Sequence, residues 1–147
     1  MELLEEQPDL DFILAPVGGG GLIAGTALAA HFFGKNCRTL GAEPFEVDDA
    51  YRSMQSGKIE NNTSTNTLAD GLKTNLGEKT FPLIRQYVEQ IIRVDETEIV
   101  EAMRLIWERM KIVVEPCGTS VSSSTNLAPL SRSLLTTCGL CTISLRT

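Results

Sequence analysis

At 147 residues, with 42% apolar and 22% charged residues, the chain is long enough for one domain with a substantial core. Its formal charge of −6 excludes the concentrated basic face that nucleic acids and anionic membranes select, and no apolar run approaches the roughly 18–20 residues needed to cross a bilayer. The acidic start Met1-Glu2-Leu3-Leu4-Glu5-Glu6 is unlike a signal peptide, and four irregularly spaced cysteines fit a reducing cytoplasm rather than a disulfide framework.

The acids are unevenly spread. All 19 Asp and Glu lie at or before Glu115, whereas Cys117 to Thr147 holds none but carries 7 Ser, 6 Thr and three of the four cysteines. Residues 1–116 and 117–147 are therefore expected to be different kinds of sequence.

In chain order, Glu2 to Gln7 reads as the end of a helix stopped by Pro8. Phe12-Ile13-Leu14-Ala15-Pro16-Val17 is a continuous apolar run of strand length, the pattern of a strand covered on both faces. Four glycines follow, then a helix rich in Ala and Gly from Leu22 to Phe33, ending near Gly34. Thr39 to Pro44 is a second short strand stopped by proline. Strand, glycine loop, helix and strand make a βαβ unit, which implies an α/β fold with a parallel sheet. Beyond it, Val47 to Gln55 reads as a short helix, Asn61 to Asn66 as a polar turn and Phe81 to Gln90 as a helix with Pro82 in its first turn. Ile91 to Val94 is a strand candidate. Asp95 and Glu98 form a capping-box pattern, after which Ile99, Met103, Ile106 and Met110 mark one apolar helix face. Trp107 and the methionines beside it read as core, and His31 as a residue closing its helix. Ile112 to Pro116 ends the well-patterned part.

The run Gly18-Gly19-Gly20-Gly21-Leu22 carries chemistry. Without Cβ atoms, consecutive amides can turn toward one point, and a helix starting there adds unpaired N–H groups and the positive end of its dipole. Together these form an anion site that needs no basic side chain. A mononucleotide P-loop is excluded, because Thr26 stands where its lysine is required after Gly20 and Gly25. A nicotinamide-dinucleotide fingerprint stays open on local pattern: Gly19, Gly21 and Ala24 fit G-x-G-x-x-A, and Glu43 ends the next strand.

Further blocks occur in order: Pro16 to Gly25, Gly41-Ala42-Glu43-Pro44, Leu68-Ala69-Asp70-Gly71 and Trp107 to Pro116. This series resembles the C-terminal half of serine racemase and the related serine/threonine dehydratases, fold-type II enzymes that use pyridoxal phosphate. The resemblance covers residues 1–116 and implies part of a three-layer, tryptophan-synthase-beta-like large domain, with 117–147 an atypical tail off the family pattern. It implies that Gly18, Gly19, Gly20, Gly21 and Leu22 offer amides to the cofactor phosphate, that Gly71 lies against the cofactor ring and that Glu115 stands near the pyridine face. It also implies a divalent cation (Mg²⁺, Mn²⁺ or Ca²⁺) held by the carboxylates of Glu43 and Asp49 and the carbonyl of Val47, oxygen ligands suited to a hard ion.

The implied parent activity is dehydration of L-serine or L-threonine to a 2-oxo acid and ammonia, or serine racemisation, by a cytoplasmic homodimer acting on a small amino acid. That chemistry needs a Schiff-base lysine in a Ser-x-Asn/His-x-Lys setting, and none occurs here; Lys35, Lys58, Lys73, Lys79 and Lys111 read as surface lysines. No catalytic residue is therefore assigned, and the chain by itself is expected to be an inactive fragment. Alternative expectations are a Rossmann-type nicotinamide domain, or a non-catalytic remnant that binds a full-length paralogue. Cys138-x-x-Cys141, without a second pair, is assigned no role.

Overall fold

The computed structural model describes residues 1–123, 133–138 and 141–146, with side chains through Ser122. Its centre is a sheet in the order β3-β2-β1-β4-β5. Strands β1 (Phe12–Pro16), β2 (Arg38–Pro44) and β3 (Val88–Val94) run parallel, β4 (Ser133–Cys138) joins β1 in parallel, and β5 (Cys141–Arg146) returns antiparallel. Every residue of β1 is buried, as its unbroken apolar run requires of a central strand.

Alternation along β1 builds two apolar layers. Phe12 and Leu14 face one side with Leu40, Ala42 and Val94, where Ile99 of α5 (Glu96–Met110) and Val121 of α6 (Pro116–Ser123) cover them. Ala15 and Val17 face the other side, under α2 (Gly21–Phe33), α3 (Asp49–Ser56) and α4 (Phe81–Tyr87). Short α1 (Glu2–Glu6) adds Leu4, which packs with Leu10, Ile13 and Ala30. Helices on both faces of a mostly parallel sheet give the expected three-layer α/β architecture. Ile13, Leu14, Ile23, Ile84 and Ile99 are fully buried, each worth about 1.5–3 kcal/mol of apolar transfer. Among the described residues, no helix is long and apolar enough to cross a membrane.

Helix α5 begins as its sequence predicts. The Asp95 carboxylate accepts from the Thr97 amide at 3.1 Å while Glu98 accepts from the Asp95 amide at 3.0 Å, a complete capping box. Three expectations need correction. The helix starting at Phe81 stops at Tyr87, because Val88-Glu89-Gln90 already pairs with β2 across a bulge at Thr39/Leu40, and tertiary pairing outweighs helical continuation. The segment from Val47 to Gln55 is split into a 3₁₀ turn (Phe45–Val47) and α3. Trp107 is not core: it is 64% exposed, one position round the helix from buried Ile106, and Met110 is exposed as well.

Candidate active site

The carboxyl end of β1 delivers the chain directly into the glycine run, and α2 starts at Gly21. Gly20 takes φ +84°, a conformation that disfavours side chains, and a Cβ there would lie 2.7 Å from Thr80 Oγ1 and 2.8 Å from Ile84 Cδ1 and Leu76 Cδ1. The loop thus closes tightly onto the start of α4 and leaves its other side free. Among the described residues, the amides of Gly18, Gly19 and Gly20 donate to no protein acceptor, and the first helical hydrogen bond is Ala24 N to Gly20 O at 3.0 Å. Orphan amides at a helix start, with no side chain in the way, favour an anion.

These amides border a cleft of about 290 Å³ lined by Pro16, Gly18, Gly19, Gly20, Gly21, Leu22, Gly71, Leu72, Glu115 and Cys117. All seven residues expected at the cofactor therefore meet at one place, although Gly71 and Glu115 lie far from the glycine run in sequence. Gly71 arrives on a 3₁₀ turn (Asp70–Leu72) and Glu115 immediately before α6. No lysine borders the cleft; Lys35, Lys58, Lys79 and Lys111 are exposed and Lys73 half-buried. Cys117 is the residue that sequence reasoning assigned to the tail and the structure brings to the cleft. Its thiol is pushed up from its ordinary value, chiefly by burial, so it is not poised as a thiolate.

A second polar centre lies at the end of β2. Glu43 is 1% exposed and Asp49, at the start of α3, 2% exposed; Val47 between them is also buried. Burial pushes the Glu43 carboxyl up to about 8, against the amide of Tyr51 that donates to it, with Asp49 and Asp48 adding repulsion. Asp49 is raised too, by burial first, although its Oδ2 accepts from the Leu76 amide at 2.6 Å and its Oδ1 from Asn62 Nδ2 at 2.8 Å. Neighbouring Asp48 takes the cations instead, pairing with Arg52 at 2.7 Å and Arg93 at 3.1 Å. Neither Glu43 nor Asp49 has an ion pair among the described residues, and the Asn62 Oδ1 atom is buried without a partner. Buried, repelling carboxylates beside an orphan oxygen form a donor set that fits a hard divalent cation.

His31 does what its place in the sequence predicts: it sits in the last turn of α2, exposed, with its ring 4.8 Å from Tyr87 and 4.9 Å from Phe32. Cys138 and Cys141 face each other across the β4–β5 register, and their side chains lie outside the described residues.

Comparison with known proteins settles the family. The model of the family described as "Pyridoxal-phosphate dependent enzyme" matches residues 1–135. The chain belongs to this family. Among curated relatives, it is 47% identical over 132 residues to serine racemase of Dictyostelium discoideum, covering 88% of this chain and 39% of that protein. It is 46% identical over 116 residues to L-threo-3-hydroxyaspartate ammonia-lyase of Saccharomyces cerevisiae, covering 78% of this chain and 36% of the other. The solved structure of maize serine racemase superposes with a TM-score of 0.80 at 44% identity, over 87% of this chain and 41% of that one. The chain thus spans less than two fifths of the length of these two curated relatives. Membership of the pyridoxal-phosphate family favours that cofactor over the nicotinamide alternative.

Proposed function

We propose that this chain holds the phosphate of pyridoxal phosphate on the amides of Gly18 to Leu22, as the cofactor-cradling part of a serine/threonine dehydratase or serine racemase. The observation that carries this is the convergence of Gly18–Leu22, Gly71 and Glu115 on one cleft with free amides, in a chain of the pyridoxal-phosphate family. In such enzymes the bound group supplies an electron sink for a substrate carbanion. The residues here do the holding: backbone N–H groups and the α2 dipole take the phosphate charge. Gly71 borders the cleft with its bare backbone, packed so closely against Cys117 that a Cβ would lie 3.1 Å from the thiol sulfur, and Glu115 adds a carboxylate at the cleft wall. Glu43, Asp49 and the Val47 carbonyl would hold Mg²⁺, Mn²⁺ or Ca²⁺ beside the cradle and keep two buried acids ionised.

With no lysine at the cleft, the chain alone binds cofactor without turning over serine. Calorimetric titration with pyridoxal phosphate, beside an ammonia-release assay with L-serine, tests this. Saturable binding without ammonia is expected; absence of binding, or ammonia release by the purified chain, contradicts it. The parent activity is carried by a cytoplasmic homodimer. The tail of residues 117–147 departs from the family pattern in composition, against a family match that runs on to residue 135. A reading-frame change or misassigned exon would produce that departure; sequencing the transcript tests this origin, and an uninterrupted frame through the tail counts against it.

One observation favours a second role. Val100, Trp107, Met110, Ile112 and Val113 are all exposed on or just after α5, Val113 at 89%. Together they form an apolar face suited to further polypeptide, as expected of a remnant that binds a full-length paralogue. Co-purification with such a relative supports that role, and a clean monomer in its presence removes it.

A further inference from the structure

Thr80 is the N-cap residue of α4, the position where a threonine hydroxyl ordinarily satisfies its own helix. Here it makes no cap hydrogen bond. Its Oγ1 instead reaches the carbonyl of Gly19 at 2.9 Å, 61 residues away in sequence, and that of Gly77 at 3.0 Å. The Gly77 amide donates to the same Gly19 oxygen at 3.2 Å. Two donors from the turn that leads into α4 therefore grip one carbonyl of the glycine loop.

That grip fixes more than an oxygen. The peptide joining Gly19 to Gly20 is trans, so its C=O and N–H point in opposite directions within one rigid plane. Drawing the Gly19 oxygen toward Thr80 and Gly77 takes a carbonyl dipole off the cleft and turns the Gly20 N–H away from α4. Gly20 borders the cleft, and its amide has no protein acceptor among the described residues. Its positive φ and the closeness of a Cβ there to Thr80 Oγ1 show the same two parts in contact from the other direction. Thr80 itself does not line the cleft, so proximity to a ligand would never single it out.

We infer that Thr80 is a positioning residue for the phosphate cradle, which sets the Gly19–Gly20 peptide so that the Gly20 N–H meets an anion. The inference rests on the phosphate reading of the glycine loop. Its test uses pyridoxine 5′-phosphate, which lacks the aldehyde and so cannot react with surface lysines. Calorimetry on the 147-residue chain is compared with Thr80→Val, Thr80→Ala and Thr80→Ser, and amide NMR follows Gly20 during the titration.

Loss of one such hydrogen bond is expected to weaken binding about three- to tenfold in Thr80→Val and Thr80→Ala. Thr80→Ser, which keeps the hydroxyl, should stay within about twofold, and a purely steric role would not produce that rescue. In the unmutated chain the Gly20 amide proton should move downfield at saturation. A stationary Gly20 amide overturns the inference even if the variants fail to fold. Undiminished binding in folded Thr80→Val and Thr80→Ala overturns it while leaving the cradle intact. No binding to the unmutated chain overturns the cradle and this inference together.

Discussion

The ends of β1 and β2 lie side by side and solve opposite electrostatic problems. The end of β1 is built from backbone: glycines expose amides, and no charged side chain is needed to attract an anion. The end of β2 is built from side chains: Glu43 and Asp49 are buried, unpaired with any basic residue among those described, and raised in pKa. A dipole site can stand empty at little cost, whereas a buried pair of acids is strained until a proton or cation neutralises it. The two ends are also tied together. Asp49 holds the Leu76 amide, and the next residue, Gly77, holds the Gly19 carbonyl.

The largest effect is expected at the β1 end. Gly20→Ala forces a side chain into φ +84° and against Thr80, Ile84 and Leu76. It should cost about 2–4 kcal/mol in urea unfolding and remove phosphate binding; a stable variant that still binds would show that the loop is not held as described. Next, Asp49→Ala leaves the Leu76 amide without its acceptor and frees Asn62, for a loss of about 2 kcal/mol. Weaker cofactor binding in this variant would reveal that the two strand ends communicate; unchanged binding would separate them.

Third is the pH dependence of Glu43. In the unfolded chain this acid titrates near 4.5, and in the fold near 8. Below pH 4.5 both states hold the proton and its stabilising contribution is complete. Between 4.5 and 8 the unfolded chain releases the proton while the fold retains it, so stability falls as pH rises. In a chelator-containing buffer, Glu43→Gln should therefore melt progressively higher than the unmutated chain from about pH 5 to about pH 8. Mn²⁺ at about pH 8 should raise the unmutated chain and leave the variant where it is. Parallel melting curves would deny that Glu43 is a buried, protonated acid. The smallest effect is at Arg104, whose ion pairs with Glu101 and Glu108 lie on the exposed side of α5. Arg104→Ala should leave melting and binding unchanged, because such pairs are screened by water and salt.

Much of this molecule is legible in its residues. The apolar run of β1, the glycines and the Asp95–Glu98 box each encode their structure locally, through continuous burial, permissive backbone and a reciprocal cap. The meeting of Gly71 and Glu115 with the glycine run at one cleft is anticipated only through the family resemblance of four separated blocks; nothing in the neighbourhood of Gly71 or Glu115 says that they approach Gly18. The end of α4 escapes a local reading because Val88-Glu89-Gln90 is decided by pairing with β2, a partner distant in sequence. Trp107 escapes it because helical spacing says which residues share a face, not which face is covered. Thr80 is invisible for a different reason: no motif or spacing singles it out, and its bond to Gly19 exists only in three dimensions. The same holds for Asn62, in the polar turn, and for buried Leu76, beyond the Leu68–Gly71 block, neither of which any local pattern points toward Asp49.

The most direct test is a crystal structure of this chain saturated with pyridoxal phosphate. The phosphate is predicted within hydrogen-bonding distance of the amides of Gly18 to Leu22, with the ring between Gly71 and Glu115. A phosphate bound elsewhere on the chain, with the glycine amides left facing solvent, would contradict the cradle.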